Sequence, residues 1–464
     1  MDVNVPMHAP RRGRSQQVGA WGWLTRIAAL VWAILAAESA VLAAGHDRAL
    51  HQGVATCAGS TCHGRQEATG PRVRQNEVMT WSDPASLTGA HSRAWKVLME
   101  PRAQAIGRRL GIANVAASPE CINCHGDPAP VRGPKFQQSD GVGCEACHGG
   151  SVNWLASHAS VKASTADNMA RGMWAMHNPA VRAGVCLDCH FGSDKPGQFV
   201  FHRIMAAGHP RVAFELDLFT SLQSHHDEDA DYRAQKGISG GVKTWAVGQA
   251  MAVERALSLL PAASAGLTGP DYYFYDCRSC HRTFSDDPAA QLVARSNGWR
   301  PIPPGHPVWN DEQMIMLMAA ARVAAPDLAR SLEGQSRAFH AALGGDRAGA
   351  LKAAAALKAT AGTLARRFAG ASFDRAQSFA LIEAVLVGNA PAYTDYQGGA
   401  QAVMAADTLL NALVAAGQVD RAAALALRPD LDRAYALARD ANRWDAPAFR
   451  AALGQIAARA RALK

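Results

Sequence analysis

The sequence predicts a mainly α fold with little regular sheet, in which a Cys- and His-rich module is followed by an all-α helical C-terminal domain. Three observations predict it. Residues 45–305 are rich in Gly and Pro and show little of the apolar–polar alternation that is typical of strands. All ten cysteines lie in that part of the chain. Beyond Pro301–Pro307, which marks a boundary, residues 306–464 contain no Cys and are dominated by Ala and Leu.

Residues 1–44 have the layout of a signal peptide. Four Arg precede the apolar run Ile27–Ala37, and small residues follow at Ala43 and Ala44. An uncleaved membrane anchor is the alternative, but the run is shorter than the roughly 20 residues that span a bilayer. The sequence therefore predicts export to the periplasm.

The cysteines form five motifs in which a His directly follows the second Cys. Four motifs read Cys-x-x-Cys-His, and the first has four residues between its cysteines. Cys-x-x-Cys-His is the attachment signal for c-type haem, in which both thiols bind the porphyrin and the His is the proximal iron ligand. The sequence therefore predicts five covalently bound haem c groups. The residues predicted to hold them are Cys57, Cys62 and His63; Cys121, Cys124 and His125; Cys144, Cys147 and His148; Cys186, Cys189 and His190; and Cys277, Cys280 and His281.

Zinc sites and disulfides are the alternatives for paired cysteines. Neither requires a His directly after the second Cys, and that arrangement occurs here in all five motifs. Haem attachment is therefore the favoured interpretation. In the first motif, the longer spacing leaves open an attachment through a single thioether bond.

The chain also resembles the cytochrome c-554 family of tetrahaem electron carriers. The resemblance rests on the order of the motifs, on His91 and His158, and on Gly-Val-Gly-Cys-Glu-Ala-Cys-His-Gly at residues 141–149. It covers about residues 55–190 and implies a mostly helical fold with closely stacked haem pairs. The longer first motif, the fifth motif and the long C-terminal part depart from the family pattern.

The resemblance implies distal ligands for the first four haems. His158 would serve the haem on His63, and His91 would serve the haem on His148. In that family the second haem, here on His125, lacks a strong distal ligand. The fourth haem takes a His from further along the chain, for which this sequence offers His202, His209 and His225.

The fifth haem has no counterpart in the family, so its distal ligand stays open at this stage. A further possibility concerns the second haem, whose open position His51 or His177 could close. The candidates for the fifth haem are His202, His209, His225, His226 and His306.

Two groups of residues around and after the fifth motif are candidate haem neighbours. The three Tyr of Tyr272–Tyr275 are most simply explained by packing against porphyrin faces. A Tyr cross-linked to a catalytic haem, as in hydroxylamine oxidoreductases, is the alternative. The three Met of Met314–Met318 are typical of helix core and not of axial ligands.

The C-terminal part is predicted to be a bundle or short array of six or seven helices. Leu357, Ala361, Leu364 and Phe368 form a helical stripe. Its expected role is to pack against the haem module or to dock a partner. Predicted N-caps are Ser372, Asp420 and Asp445, and predicted helix ends are Gly388 and Gly417.

These observations favour an exported pentahaem cytochrome that transfers electrons between redox proteins, or to and from a membrane quinol-linked complex. The formal charge of +8 falls to about +6 without residues 1–44, and haem propionates would offset it further, so it does not predict nucleic-acid binding. The chain has 17 His, enough to give five haems two ligands each. The alternative is a haem enzyme with one open iron site that acts on hydroxylamine, nitric oxide or nitrite.

Overall fold

A computed structural model describes residues 49–464 except 71–73, 161, 227–238, 264–269, 282–285 and 287–295. The predicted signal peptide lies outside the described residues. From Ala49 to Lys464 the chain forms one compact unit. In the described part, none of the helices has the length and hydrophobicity needed to cross a membrane.

The part of the chain that contains the Cys-His motifs consists of short helices joined by turns. Among its described residues the sheet is a parallel pair, β1 Leu50–His51 and β2 Val131–Arg132. Proline at the first turn starts three of the helices below, α3, α4 and α8, where its missing N–H removes no helical hydrogen bond. The helices are α1 Val54–Cys57, α2 Glu77–Ser82, α3 Pro101–Leu110, α4 Pro119–His125, α5 Cys144–His148, α6 Leu155–His158, α7 Thr165–Ala170, α8 Pro179–His190, α9 His202–Ala206 and α10 Leu216–Leu222.

Longer helices follow. They are α11 Gly241–Ala263, α12 Glu312–Ala324, α13 Pro326–Ala342, α14 Arg347–Gly370, α15 Arg375–Glu383, α16 Tyr396–Ala415, α17 Arg421–Leu425, α18 Arg428–Leu437 and α19 Ala446–Arg461. A π-helical turn, Ala384–Gly388, continues α15. The described 3-10 turns are Thr88–Arg93, Lys96–Met99, Gln138–Asp140, Ser151–Asn153, Tyr272–Phe274, Cys277–Ser279, Ala390–Ala392 and Ala441–Arg443.

Helix α11 joins the two parts of the chain. Trp245 and Ala250 on this helix are fully buried in a continuous hydrophobic core that runs from Ala183 on α8 to Ala460 on α19. Helix α11 packs against α8, which ends in the fourth motif, and against α14. The fourth motif is therefore supported by the C-terminal helices.

The predicted mainly α fold is confirmed. The stripe from Leu357 to Phe368 is buried on α14, and Asp420 and Asp445 cap α17 and α19. Ser372 was wrong as an N-cap, because Asp374 caps α15 by forming a capping box with Gln377. Residues 306–464 contain eight α-helices instead of six or seven. The domain boundary near residue 305 stays a prediction.

Candidate haem centres

The motif histidines lie where helical turns end. Helices α4, α5 and α8 each end at the motif His, at His125, His148 and His190. One turn of helix brings the two Cys, three positions apart, onto one face. In the fifth motif the backbone N–H of His281 donates to the carbonyl of Cys277 at 2.7 Å, which is the same turn outside a regular helix.

The longer first motif reaches the same local arrangement. The N–H of His63 donates to the carbonyl of Cys57 at 3.1 Å, although six positions separate them. The intervening residues form a loop in which Cys62 and Gly64 both donate to the carbonyl of Gly59. The two extra residues are therefore looped out, and the bond from the His to the first Cys is kept.

Each motif histidine faces a second histidine from elsewhere in the chain. Imidazole nitrogens bind first-row metals at about 2 Å, so two rings on opposite sides of one metal have centroids roughly 6 Å apart. All five separations match this spacing. The pairs are His63–His158 at 5.9 Å, His91–His190 at 6.1 Å, His125–His209 at 6.2 Å, His148 with either His225 or His226 at 6.2 Å, and His202–His281 at 6.0 Å.

Two of these pairs differ from the pairing of His91 with His148 that the resemblance implied. The family resemblance implied that His91 would face His148, but the structure pairs it with His190 of the fourth motif. His148 instead faces the adjacent His225 and His226, and the ligand nitrogens of all three lie within 4.8 Å of one another. The expected pairing of His158 with His63 is present.

The second motif differs from the open site that the resemblance implied. His209 lies opposite His125, in the position of a distal ligand. Of the two residues considered for closing this site, His51 lies with its Nδ1 2.9 Å from the carboxylate of Asp127, and His177 is exposed. The structure therefore places opposite the second motif a histidine that was expected to serve a different haem.

The fifth motif has its partner in His202, one of five candidates from the sequence. His306, another of them, is exposed in a turn. Tyr272 contacts the His202 ring at 5.5 Å, whereas Tyr273 and Tyr275 are buried in the hydrophobic core. The three Met of Met314–Met318 are buried on α12, as predicted.

Hydrogen bonds to backbone carbonyls fix the orientation of three of these rings. The Nδ1–H of His125 donates to Ala94 at 3.0 Å, that of His209 to Pro210 at 2.7 Å, and that of His225 to Gln223 at 2.9 Å. A carbonyl can only accept, so each Nδ1 carries the proton and each Nε2 keeps a lone pair. A ring held in this way presents Nε2 to a metal.

Charge and burial change the pKa values of three motif histidines in different directions. A hydrogen bond to Glu77, at 2.8 Å from Nδ1, raises the pKa of His63 above its ordinary value and orients the ring. Burial lowers the pKa of His148 and of His190 to about 4 each. Both rings are therefore neutral near pH 7, and the neutral imidazole is the form that binds metals.

Helices that carry different motifs lie against one another. Helix α1, which ends at Cys57, contacts α5 of the third motif, and α4 of the second motif contacts α8 of the fourth. Helix α5 also contacts α8, which brings the third motif close to the fourth.

Two acidic residues inside the motifs have structural roles that the sequence did not reveal. The buried Glu145 carboxylate accepts the backbone N–H groups of Gln52 at 2.9 Å, Gly53 at 2.7 Å and Ser151 at 2.7 Å. Because Gly53 precedes α1, Glu145 attaches the first motif to the third. Asp188 of the fourth motif pairs with Arg255 on α11 at 2.6 Å.

Comparison with known proteins identifies the chemistry of the first motifs. Residues 56–149 match the sequence model of the family described as cytochrome c554 and c-prime. The chain is a c-type cytochrome that resembles this family. The match covers about a fifth of the cytochrome and includes its first three motifs. No curated protein and no solved structure matches the chain.

Cytochromes of this type bind haem c covalently and transfer electrons. The residues described above fit a covalently bound haem c. Each motif offers two thiols and one imidazole on a turn, and a second imidazole faces the first at the spacing required by an iron with two axial ligands. The family match ends before the fourth motif, so the fourth and fifth motifs rest on their own geometry.

Proposed function

We propose that the cytochrome is an exported electron carrier with five haem c groups, each held by two histidines. One observation carries this proposal: every motif His has another His opposite it, at 5.9 to 6.2 Å between ring centroids. When bound, haem supplies reversible one-electron chemistry at iron. Two imidazoles bound to one haem iron would leave no position for a substrate, which favours electron transfer over catalysis.

The distal ligands in this proposal follow the observed pairs. They are His158 for the first haem, His209 for the second, His225 or His226 for the third, His91 for the fourth and His202 for the fifth. The carbonyls bonded to His125, His209 and His225 and the Glu77 carboxylate bonded to His63 would keep these four rings in place while the charge on the iron changes. The protein thereby limits the reorganisation that accompanies each electron transfer.

The proposed location is the periplasm. Its support is the N-terminal pattern of Arg, apolar and small residues, together with the c-type motifs, because c-type haem is attached outside the cytoplasm. The proposed partners are redox proteins or a membrane quinol-linked complex. The C-terminal helices pack on α11, which in turn packs on the helix of the fourth motif. A β-bridge between Tyr275 and Trp309 joins the residues just before the fifth motif to the C-terminal part of the chain. Docking of a partner is a second proposed role of these helices.

The experiment that tests the proposal is a haem count combined with low-temperature EPR on the oxidised protein, produced with a haem-maturation system. Five haems per chain, all low-spin, are expected. A high-spin signal equivalent to one haem per chain would contradict closed ligation and would support the alternative, an enzyme acting on a small nitrogen compound. Four haems would contradict attachment at the first motif.

A further inference from the structure

Residues His202–His209 carry the partners of two different motifs. His202, at the start of α9, faces His281 of the fifth motif at 6.0 Å. His209, just after the same helix, faces His125 of the second motif at 6.2 Å. Seven residues of mostly helical chain span about 10 Å. The second and fifth centres are therefore held by one short segment.

The end of α9 fixes the position of His209 relative to His202. The N–H of Gly208 donates to Met205 at 2.8 Å, and that of His209 donates to Ile204 at 3.2 Å, which is a Schellman turn. Gly208 has a φ of +114°, a conformation that side chains with Cβ rarely adopt. The turn therefore sets a defined spacing between the two histidines.

Three further contacts hold this segment, one with the helix of the second motif and two with α3. Arg203 on α9 pairs with Glu120 on α4, the helix that ends at His125. From α3, Arg109 donates to the carbonyl of Ala207 at 2.8 Å, and Arg102 donates to that of Gly208 at 2.9 Å. The partner of the fifth motif is thus fastened to the second motif.

Contacts between helices arrange the first four motifs in a series. The first motif adjoins the third through α1 and α5, the third adjoins the fourth through α5 and α8, and the fourth adjoins the second through α8 and α4. Adding the segment His202–His209 places the fifth motif after the second. Exposure of the cysteines agrees with this order, because the exposed ones are Cys62 of the first motif and Cys277 and Cys280 of the fifth, and the other seven are partly buried.

We infer that the fifth haem adjoins the second and forms the exposed end of a linear series in the order first, third, fourth, second, fifth. This inference rests on the proposed function. It assigns electron exchange with partners to the two ends of the series, at the first and fifth centres. Each internal transfer oxidises one ferrous iron and reduces the neighbouring ferric iron, so no atom is exchanged between centres.

The test measures magnetic interaction between centres in the full-length, haem-loaded protein. His209→Ala removes the distal ligand of the second haem and gives it a high-spin EPR signal that is distinct from those of the other centres. Cys277→Ala/Cys280→Ala removes the fifth haem. The oxidised fifth haem is a nearby paramagnet that speeds relaxation of the high-spin signal of the second haem. We therefore expect its removal to lower the microwave power at which that signal is half-saturated.

In the matched control, His158→Ala gives the first haem the high-spin signal. The microwave power at which this signal is half-saturated should not change when the fifth haem is removed. A change at the first centre and none at the second would overturn the inferred order. If the variant without the fifth haem is not recovered, His202→Ala/His209→Ala should show stronger dipolar coupling between its two high-spin irons than His202→Ala/His158→Ala. The reverse result would also overturn the order.

Two other results would contradict the proposed function itself, and they differ from those that would overturn only the inferred order. A Cys277→Ala/Cys280→Ala protein that still holds five haems would contradict haem attachment at the fifth motif. A His209→Ala protein without a high-spin signal would contradict the ligand of the second haem. Either result would overturn the proposed function and the inferred order together, before any saturation is compared.

Discussion

The ring of His209 stands 6.2 Å from that of His125, and its Nδ1 is bonded to the carbonyl of Pro210. The second motif, for which the resemblance implied an open position, therefore has an oriented imidazole opposite its His. Whether this imidazole binds the haem iron distinguishes the proposed carrier from the alternative enzyme, because only an open iron can bind a substrate.

Replacing His209 with Ala should open this site. We expect one high-spin haem per chain by EPR and binding of carbon monoxide to one ferrous haem, while the unmodified protein binds none. His177→Ala, which changes an exposed His outside the pairs, is the control and should stay low-spin. Carbon monoxide binding by the unmodified protein would count against closed ligation.

Replacing Gly208 with Ala should displace His209 without removing it. The φ of +114° is strained for Ala, and the new Cβ would lie 3.0 Å from Nη1 of Arg109, which holds this turn. We expect a partial high-spin signal and a lower melting temperature. Gly240→Ala, at a φ of +73° with no neighbour within 4 Å, should cost about 1 kcal/mol and leave the spin state unchanged. Equal spectra for both variants would argue against a specific role of the turn.

Removing the Glu145 carboxylate should destabilise the first and third motifs. Glu145→Ala leaves three backbone N–H groups without their acceptor, and we expect a loss of about 3 kcal/mol or more in the free energy of unfolding. Glu145→Gln keeps one acceptor oxygen and should lose clearly less. Denaturant unfolding of the haem-loaded proteins measures both, and a loss near zero for Glu145→Ala would show that the carboxylate contacts contribute little.

Replacing Arg255 with Ala should loosen the fourth motif from the helices that support it. Arg255 bonds to Asp188 at 2.6 Å and to the carbonyl of Gly192 at 2.8 Å, and we expect a loss of about 2 kcal/mol. Arg367→Ala is the control, because its pair with Asp327 is about half exposed on both sides and should contribute less than about 1 kcal/mol. Thermal unfolding should separate the two variants.

Glu215 should make stability depend on pH. Burial raises the pKa of this carboxyl to about 8, above its ordinary value of 4.5. Between these two values the folded state binds more protons than the unfolded state, so stability should fall as the pH rises from 5 to 8. Glu215→Gln removes this pH-dependent contribution to stability. The melting temperature of the variant minus that of the unmodified protein should therefore increase from pH 5 to pH 8. Ser221→Ala changes an exposed hydroxyl that does not ionise, on the helix that Glu215 caps, and should give a difference independent of pH.

The sequence was informative where function depends on neighbours along the chain. The five motif histidines, the helical stripe at Leu357 and the caps at Asp420 and Asp445 follow from local spacing, and the structure has the corresponding turns and helices. The N-cap at Ser372 was wrong, since two cap-forming residues lie close together and only the bond between Asp374 and Gln377 decides between them.

Distal partners were harder to predict because they come from distant parts of the chain. His91 lies 99 positions from His190, and nothing in their spacing indicates that they meet. Glu145 and Asp188 occupy variable positions of their motifs, where any residue would satisfy the pattern. Their roles depend on the backbone of Gly53 and on Arg255, which only the folded chain brings close.

The looped-out residues of the first motif bear on how such sites are found in genomes. A pattern search that requires two residues between the cysteines would count four sites in this chain and pass over Cys57–His63. The hydrogen bond from the N–H of His63 to the carbonyl of Cys57 is insensitive to that insertion. A survey of folded chains that scores this bond, together with a facing imidazole, would recover sites that spacing rules discard, and inventories of redox centres based on spacing alone are therefore lower bounds.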